Sequence, residues 1–136
     1  MNDKLYYHIC EINYEKLNKI RATLLKSIKA GSKIGETVKE VNKFASENNI
    51  TLYQKNLGHS IGIELEEPPY LVEDEEEVFQ NNMVFVLTPR IINRNDEIIA
   101  NFDTIVIKDN KPQILGWYKN WHKPYIAQDS FPHGSG

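Results

Sequence analysis

The side chains best suited to chemistry cluster near the middle of this chain. His59 carries an imidazole, a group that can act as an acid or base or bind an anionic group. Glu66 and Glu67 are adjacent carboxylates just ahead of Pro68-Pro69. If both faced a crevice, mutual repulsion would raise the pKa of one and fit it for proton transfer. Neighbours on a strand point to opposite faces, so the two are not expected to act together. By period two, Glu64 and Glu66 share a face opposite Ile61, Ile63 and Leu65, which makes Glu66 the better candidate. Asp103, beside Thr104, either binds a substrate amine or ends a strand ladder. His8 and Cys10, two residues apart, are potential metal ligands that make a weak site as a pair. His122 and His133 read as surface residues.

These groups need a scaffold, and the composition supplies one. The 136 residues fit one domain that buries roughly two-thirds of its unfolded surface. Hydrophobic residues make up 40% and charged residues 26%, which excludes wholesale disorder. Net charge is −3, with no basic footprint for nucleic acid. Mean hydropathy is −0.51, and no apolar run approaches the roughly 18 residues of a membrane span. Met1-Asn2-Asp3-Lys4 leads into a short mixed segment, so no secretory signal is expected. With one cysteine, Cys10, the chain reads as a protein of a reducing, cytoplasmic compartment.

Tyr14 to Ala30 carries Leu17, Ile20, Leu24 and Ile28 at steps of three and four, an amphipathic helix stopped by Gly31. A second helix is predicted from about Glu36 to Asn48, burying Val38, Val41, Phe44 and Ala45, with Asn48-Asn49 closing it. Strands follow: Ile50 to Tyr53, Ser60 to Leu65 stopped by Pro68-Pro69, Met83 to Leu87 covered on both faces, Ile98-Ile99, and Thr104 to Ile107. The acidic run Glu73 to Glu77 reads as a solvated loop, with an acidic docking patch as the alternative. Helices first and strands after predict an α+β fold, two helices packed on a curved, mostly antiparallel sheet. The expected domain spans residues 1–115. Residues 116–136 form an aromatic-rich tail with Trp117, Tyr118, Trp121, Tyr125 and Phe131, either a strap or an interface segment.

The segment Gly58-His59-Ser60-Ile61-Gly62, running on to Glu66-Glu67-Pro68-Pro69, resembles the Gly-His-Gly-Ile-Gly to His-Glu-Pro-Pro segment of the metallopeptidase M24 family. Met83-Val84-Phe85-Val86-Leu87-Thr88-Pro89 is similar to that family's next strand. Phe102-Asp103-Thr104-Ile105-Val106-Ile107 is similar to its Glu-Asp-Thr-Val-Leu-Val strand, and Ile28 to Ser32 to its turn between two helices. The resemblance implies the C-terminal half of a pita-bread fold, over about residues 5 to 115. It also implies departures. Of the family's five metal ligands, His59 is kept; Thr88 and Phe102 stand at the two Glu positions, the two Asp lie upstream of the resembling region, and the family's second His falls at Glu66. A dication needs several carboxylate or imidazole ligands, so no metal and no other cofactor is expected. Phe102 and Tyr70 would line an apolar pocket in the metal's place, with Thr88 and Asp103 beside it.

Three functions follow from that resemblance. The first is a metal-free, non-peptidase domain whose crevice binds a peptide, an amino-acid-like molecule or a partner protein. A lone half exposes a sheet edge and the crevice face, so a homodimer or a complementary half-domain chain is expected to cover them. The second is metal-independent acid/base catalysis by His59 and Glu66 on a small amino-acid-derived substrate. The third is a metallopeptidase subunit completed by a partner chain, which Thr88 and Phe102 oppose.

Overall fold

A computed structural model describes residues 3–62, 65–117 and 124–126. Helix α1 (Asp3–Ser27) buries Leu17, Ile20, Leu24 and Leu25 on the stripe that the spacing predicts. It starts about three turns earlier than that stripe. Helix α2 (Ile34–Glu47) buries Ile34, Val38, Val41 and Ala45, and Asn49 after it takes the left-handed φ of 56°. Between the helices Gly31 adopts φ 90°, and its N–H donates to the Phe79 carbonyl at 2.8 Å.

The acidic run behaves as a loop with exposed Glu73, Asp74, Glu76 and Glu77, and its backbone also has a structural task. No side chain caps α2 at Lys33. The carbonyls of Glu77 and Glu75 accept from the N–H groups of Ile34 and Gly35 at 2.9 and 3.1 Å instead. They satisfy donors that the first helical turn leaves open. The Lys33–Glu76 ion pair at 3.2 Å is exposed and adds little.

The strands form two sheets. Six strands run in the order β3 (Leu65–Tyr70), β2 (Gly58–Gly62), β4 (Val84–Leu87), β7 (Asp103–Lys108), β8 (Lys111–Trp117), β9 (Pro124–Ile126). A smaller sheet orders β1 (Thr51–Leu52), β5 (Arg90–Ile92), β6 (Ile98–Ala100). Every pairing between these strands is antiparallel. This is the α+β architecture that the segregated elements predict. Residues 116 and 117, at the expected start of the tail, are in β8, and β9 lies within the tail. Tyr118, Trp121, His122, Phe131 and His133 lie outside the described residues, as do the side chains of His8 and Cys10.

Two strand expectations need correcting. The predicted strand Ser60 to Leu65 is instead two strands, with Gly62 paired to Leu65 across a hairpin. Pro68-Pro69 does not stop the structure. Both prolines lie in β3, an edge strand, where a missing N–H costs no ladder bond on the open side. The parity count that set Glu66 against Ile61 therefore fails, since the two residues are directly opposite each other in the ladder. Strand β4 is central but not covered on both faces: Phe85 and Leu87 are buried, while Val84 and Val86 are half-exposed.

One face of the large sheet meets the helices. Phe85, Leu87, Ile105, Ile107 and Ile114 pack there with Leu24, Val38 and Val41. Phe79 and Phe85 meet edge to face at 5.4 Å. Among the described residues, the other face carries half-exposed Val84, Val86 and Leu115 around a buried Val106.

Candidate crevice on the open sheet face

The register lines up the candidate residues across that face. His59 of β2 stands opposite Tyr70 of β3 on one side and Val86 of β4 on the other; Val86 in turn faces Thr104 of β7. Val84, Val86, Thr104 and Leu115 are half-buried in the same layer. Gly58 sets His59 in place. Its N–H donates to Asn56 Oδ1 at 2.9 Å, and its Cα lies so close to β4 that an added Cβ would meet backbone. His59 Nδ1 lies 3.0 Å from the Ser60 carbonyl oxygen. A carbonyl only accepts, so Nδ1 is the donor in this contact, and Nε2 is left to make a hydrogen bond elsewhere. Glu66 and Glu67 stand opposite Ile61 and Ser60 in the ladder, and their side chains lie outside the described set.

Thr88 and Phe102 directly follow and precede the last pair of β4 with β7. Leu87 pairs with Asp103 and Arg90 with Ala100, while the Asn101 N–H donates to the Pro89 carbonyl at 3.1 Å. Thr88 and Phe102 thus lie in the two short stretches that join the large sheet to the small one. The Phe102 ring is 62% exposed, and the Arg90 guanidinium carbon lies 5.7 Å from its centroid. Asp103 points into the core. Its Oδ2 accepts from Arg21 Nε at 2.5 Å and from Asn101 Nδ2 at 2.6 Å, and its Oδ1 accepts from Arg21 Nη2 at 3.0 Å. Both carboxylate oxygens are thus engaged beneath the crevice.

Sequence reasoning missed Arg21, Arg90 and Asn101. Arg21 and Asp103 are separated by 82 positions, so nothing local announces their pairing. Arg90 had a usable signal. Arg90 to Ile92 and Ile98 to Ala100 flank Asn93-Arg94-Asn95-Asp96, a hairpin pattern.

The family model for metallopeptidase family M24 matches residues 9–109. The chain belongs to metallopeptidase family M24. Solved structures agree on the fold. An X-Pro aminopeptidase from Thermotoga maritima is 22% identical with a TM-score of 0.70, covering 83% of this chain and 31% of its own. A dipeptidase from Pyrococcus horikoshii is 22% identical with a TM-score of 0.67, covering 74% of this chain and 29% of its own. The methionine aminopeptidase from Thermotoga maritima is 16% identical with a TM-score of 0.62, covering 74% of this chain and 49% of its own. No curated protein matches. This M24 chain therefore has a partial pita-bread fold and spans less than half the length of these structures.

An M24 metal pair would need oxygen and nitrogen donors in this crevice, and the residues present do not fit it. Thr88 offers a neutral hydroxyl. Phe102 offers no lone pair. The two oxygens of Asp103 already accept from Arg21 and Asn101. Among the described residues, no group of three or more His, Cys, Asp or Glu side chains is placed to hold a metal ion. No described helix is long and apolar enough to cross a membrane.

Proposed function

We propose that this M24 domain binds rather than hydrolyses, and that it works as a pair. A second copy covers the face of the large sheet away from the helices, and the crevice between takes a peptide or an amino-acid-like molecule. The observation that carries this reading is the chemistry of Thr88 and Phe102, a hydroxyl and a phenyl ring that directly follow and precede the paired Leu87 and Asp103 and stand at the two positions that the family resemblance assigns to metal-binding carboxylates. Without those carboxylates no metal-activated water forms near neutral pH. Tyr70 and Phe102 then supply apolar walls, and Thr88 and His59 Nε2 supply hydrogen-bonding groups. Asp103 holds the end of β7 from below.

Pairing is supported by the half-exposed apolar side chains of Val84, Val86 and Leu115, which lie in one layer around buried Val106. Light scattering at tens of micromolar is expected to return twice 15.8 kDa. Val86→Asp should reduce that to one chain with the circular dichroism unchanged, because Val86 is half-exposed in the single chain. A parent protein that is already monomeric would overturn the pairing.

Elemental analysis after incubation with Mn, Co or Zn and desalting is expected to find well under one equivalent per chain. A full equivalent that disappears in His59→Ala would restore the metallopeptidase reading.

A further inference from the structure

The small sheet has an unusual outer face. Its inner residues, Leu52, Ile91 and Ile99, pack on the core. Residues opposite each other in a ladder share a face, so the outer one carries Thr51, Arg90, Ile92, Ile98 and Ala100. Tyr53 extends it, since its N–H donates to the Arg90 carbonyl at 2.8 Å. Phe102 follows Ala100 at that same end, its ring beside Arg90. Tyr53 is 47% exposed, Ile98 47% and Phe102 62%; these are three of the four large hydrophobic side chains exposed among the described residues. Their gathering on one small face is what marks a contact surface.

Arg90 sits among them. No carboxylate pairs with it among the described residues, where the ion pairs are Arg21–Asp103, Lys33–Glu76 and Lys39–Glu36. Phe102 covers one side of its guanidinium, and the strand ladder fixes its backbone, so its donors are held in place beside apolar surface. Tyr, Phe and Arg around an aliphatic centre is the composition of an interface hot spot.

We infer that this face docks a partner polypeptide that presents a carboxylate between apolar side chains, the carboxylate meeting Arg90 and the apolar groups meeting Tyr53, Ile98 and Phe102. Charge decides the occupant. A second copy seated here about a twofold axis at Arg90 would bring the guanidinium against its own image, a like-charge repulsion. A carboxylate answers the guanidinium with two parallel hydrogen bonds. The site adjoins the crevice at Phe102 and does not depend on the pairing proposed above.

The probe is the peptide acetyl-Leu-Phe-Asp-Phe-amide and its Asn counterpart, titrated into the 15N-labelled full chain. The Asp peptide should shift the amides of residues 51–53, 90–92 and 98–102, with the Asn peptide roughly tenfold weaker. Arg90→Gln should bind both peptides equally weakly, and Ile98→Asp should lose both; retained spectral dispersion shows that each variant is folded. Equal affinity of the parent for the two peptides, shifts confined to other residues, or no shifts at ~1 mM peptide would each overturn the inference. So would a fall in the light-scattering mass on Arg90→Gln, which would make the occupant a second copy.

Discussion

Arg21→Ala is expected to destabilise the fold by about 3–5 kcal/mol, read as a lower urea midpoint at an unchanged slope. Both side chains of the Arg21–Asp103 pair are only 6% exposed. Removing the guanidinium strips Asp103 of two donors and leaves a buried carboxylate with only the Asn101 amide among the bonds described. That is the costly case for a buried ion pair, because the remaining charge keeps its desolvation penalty and loses its counterion. Since a domain of this size holds roughly 5–15 kcal/mol in total, the variant should be close to unfolding at 37 °C. Replacing both partners, as in Arg21→Met with Asp103→Leu, should recover a large part of the loss. If Arg21→Ala unfolds within 1 kcal/mol of the parent, the pair is not what ties β7 to α1.

Gly58→Ala should cost about as much by a different route, roughly 3–5 kcal/mol. A Cβ there would meet the Val86 carbonyl oxygen and would lie 3.1 Å from the Leu87 Cα. Both are backbone atoms of the central strand, so neither can rotate away. Strand β2 cannot retreat either. The Gly58 carbonyl accepts from the Leu71 N–H at 2.9 Å, and its own N–H is held by Asn56. Its φ of 155° adds backbone strain for any L side chain. Gly31→Ala is the control. Gly31 has φ 90° but nothing within 4 Å of an added Cβ, so only the backbone term applies, about 1 kcal/mol. Thermal unfolding should separate the two variants by several degrees; equal losses would contradict the close-approach argument.

The helices were legible because period 3.6 leaves an apolar stripe that one chain displays without help. Leu17, Ile20 and Leu24 are all buried, as that stripe predicts. The first turns of α1 were less so. Leu5, Ile9 and Ile12 have helical spacing, but Tyr6, Tyr7, Ile9 and Ile12 are also strand formers, and they blur it. The hairpin between β2 and β3 escaped because alternation in Ser60 to Leu65 looks the same whether the chain runs on or turns back. Asp103 was legible as a position but not as a contact. A buried carboxylate needs its partner named, and the partner lies on a helix 82 residues away. Thr88 and Phe102 were legible by residue type alone, because a neutral hydroxyl and a phenyl ring are not carboxylates wherever the fold puts them.

Asp103 has one more consequence. Phe102 is its direct neighbour in the chain, so the exposed ring at the lip of the crevice is joined through one peptide bond to a carboxylate bolted onto α1. Whatever leans on it pulls, through the Asp103 backbone, on an anchor at Arg21 in the last third of the longest helix, so a load at the lip is passed to that helix.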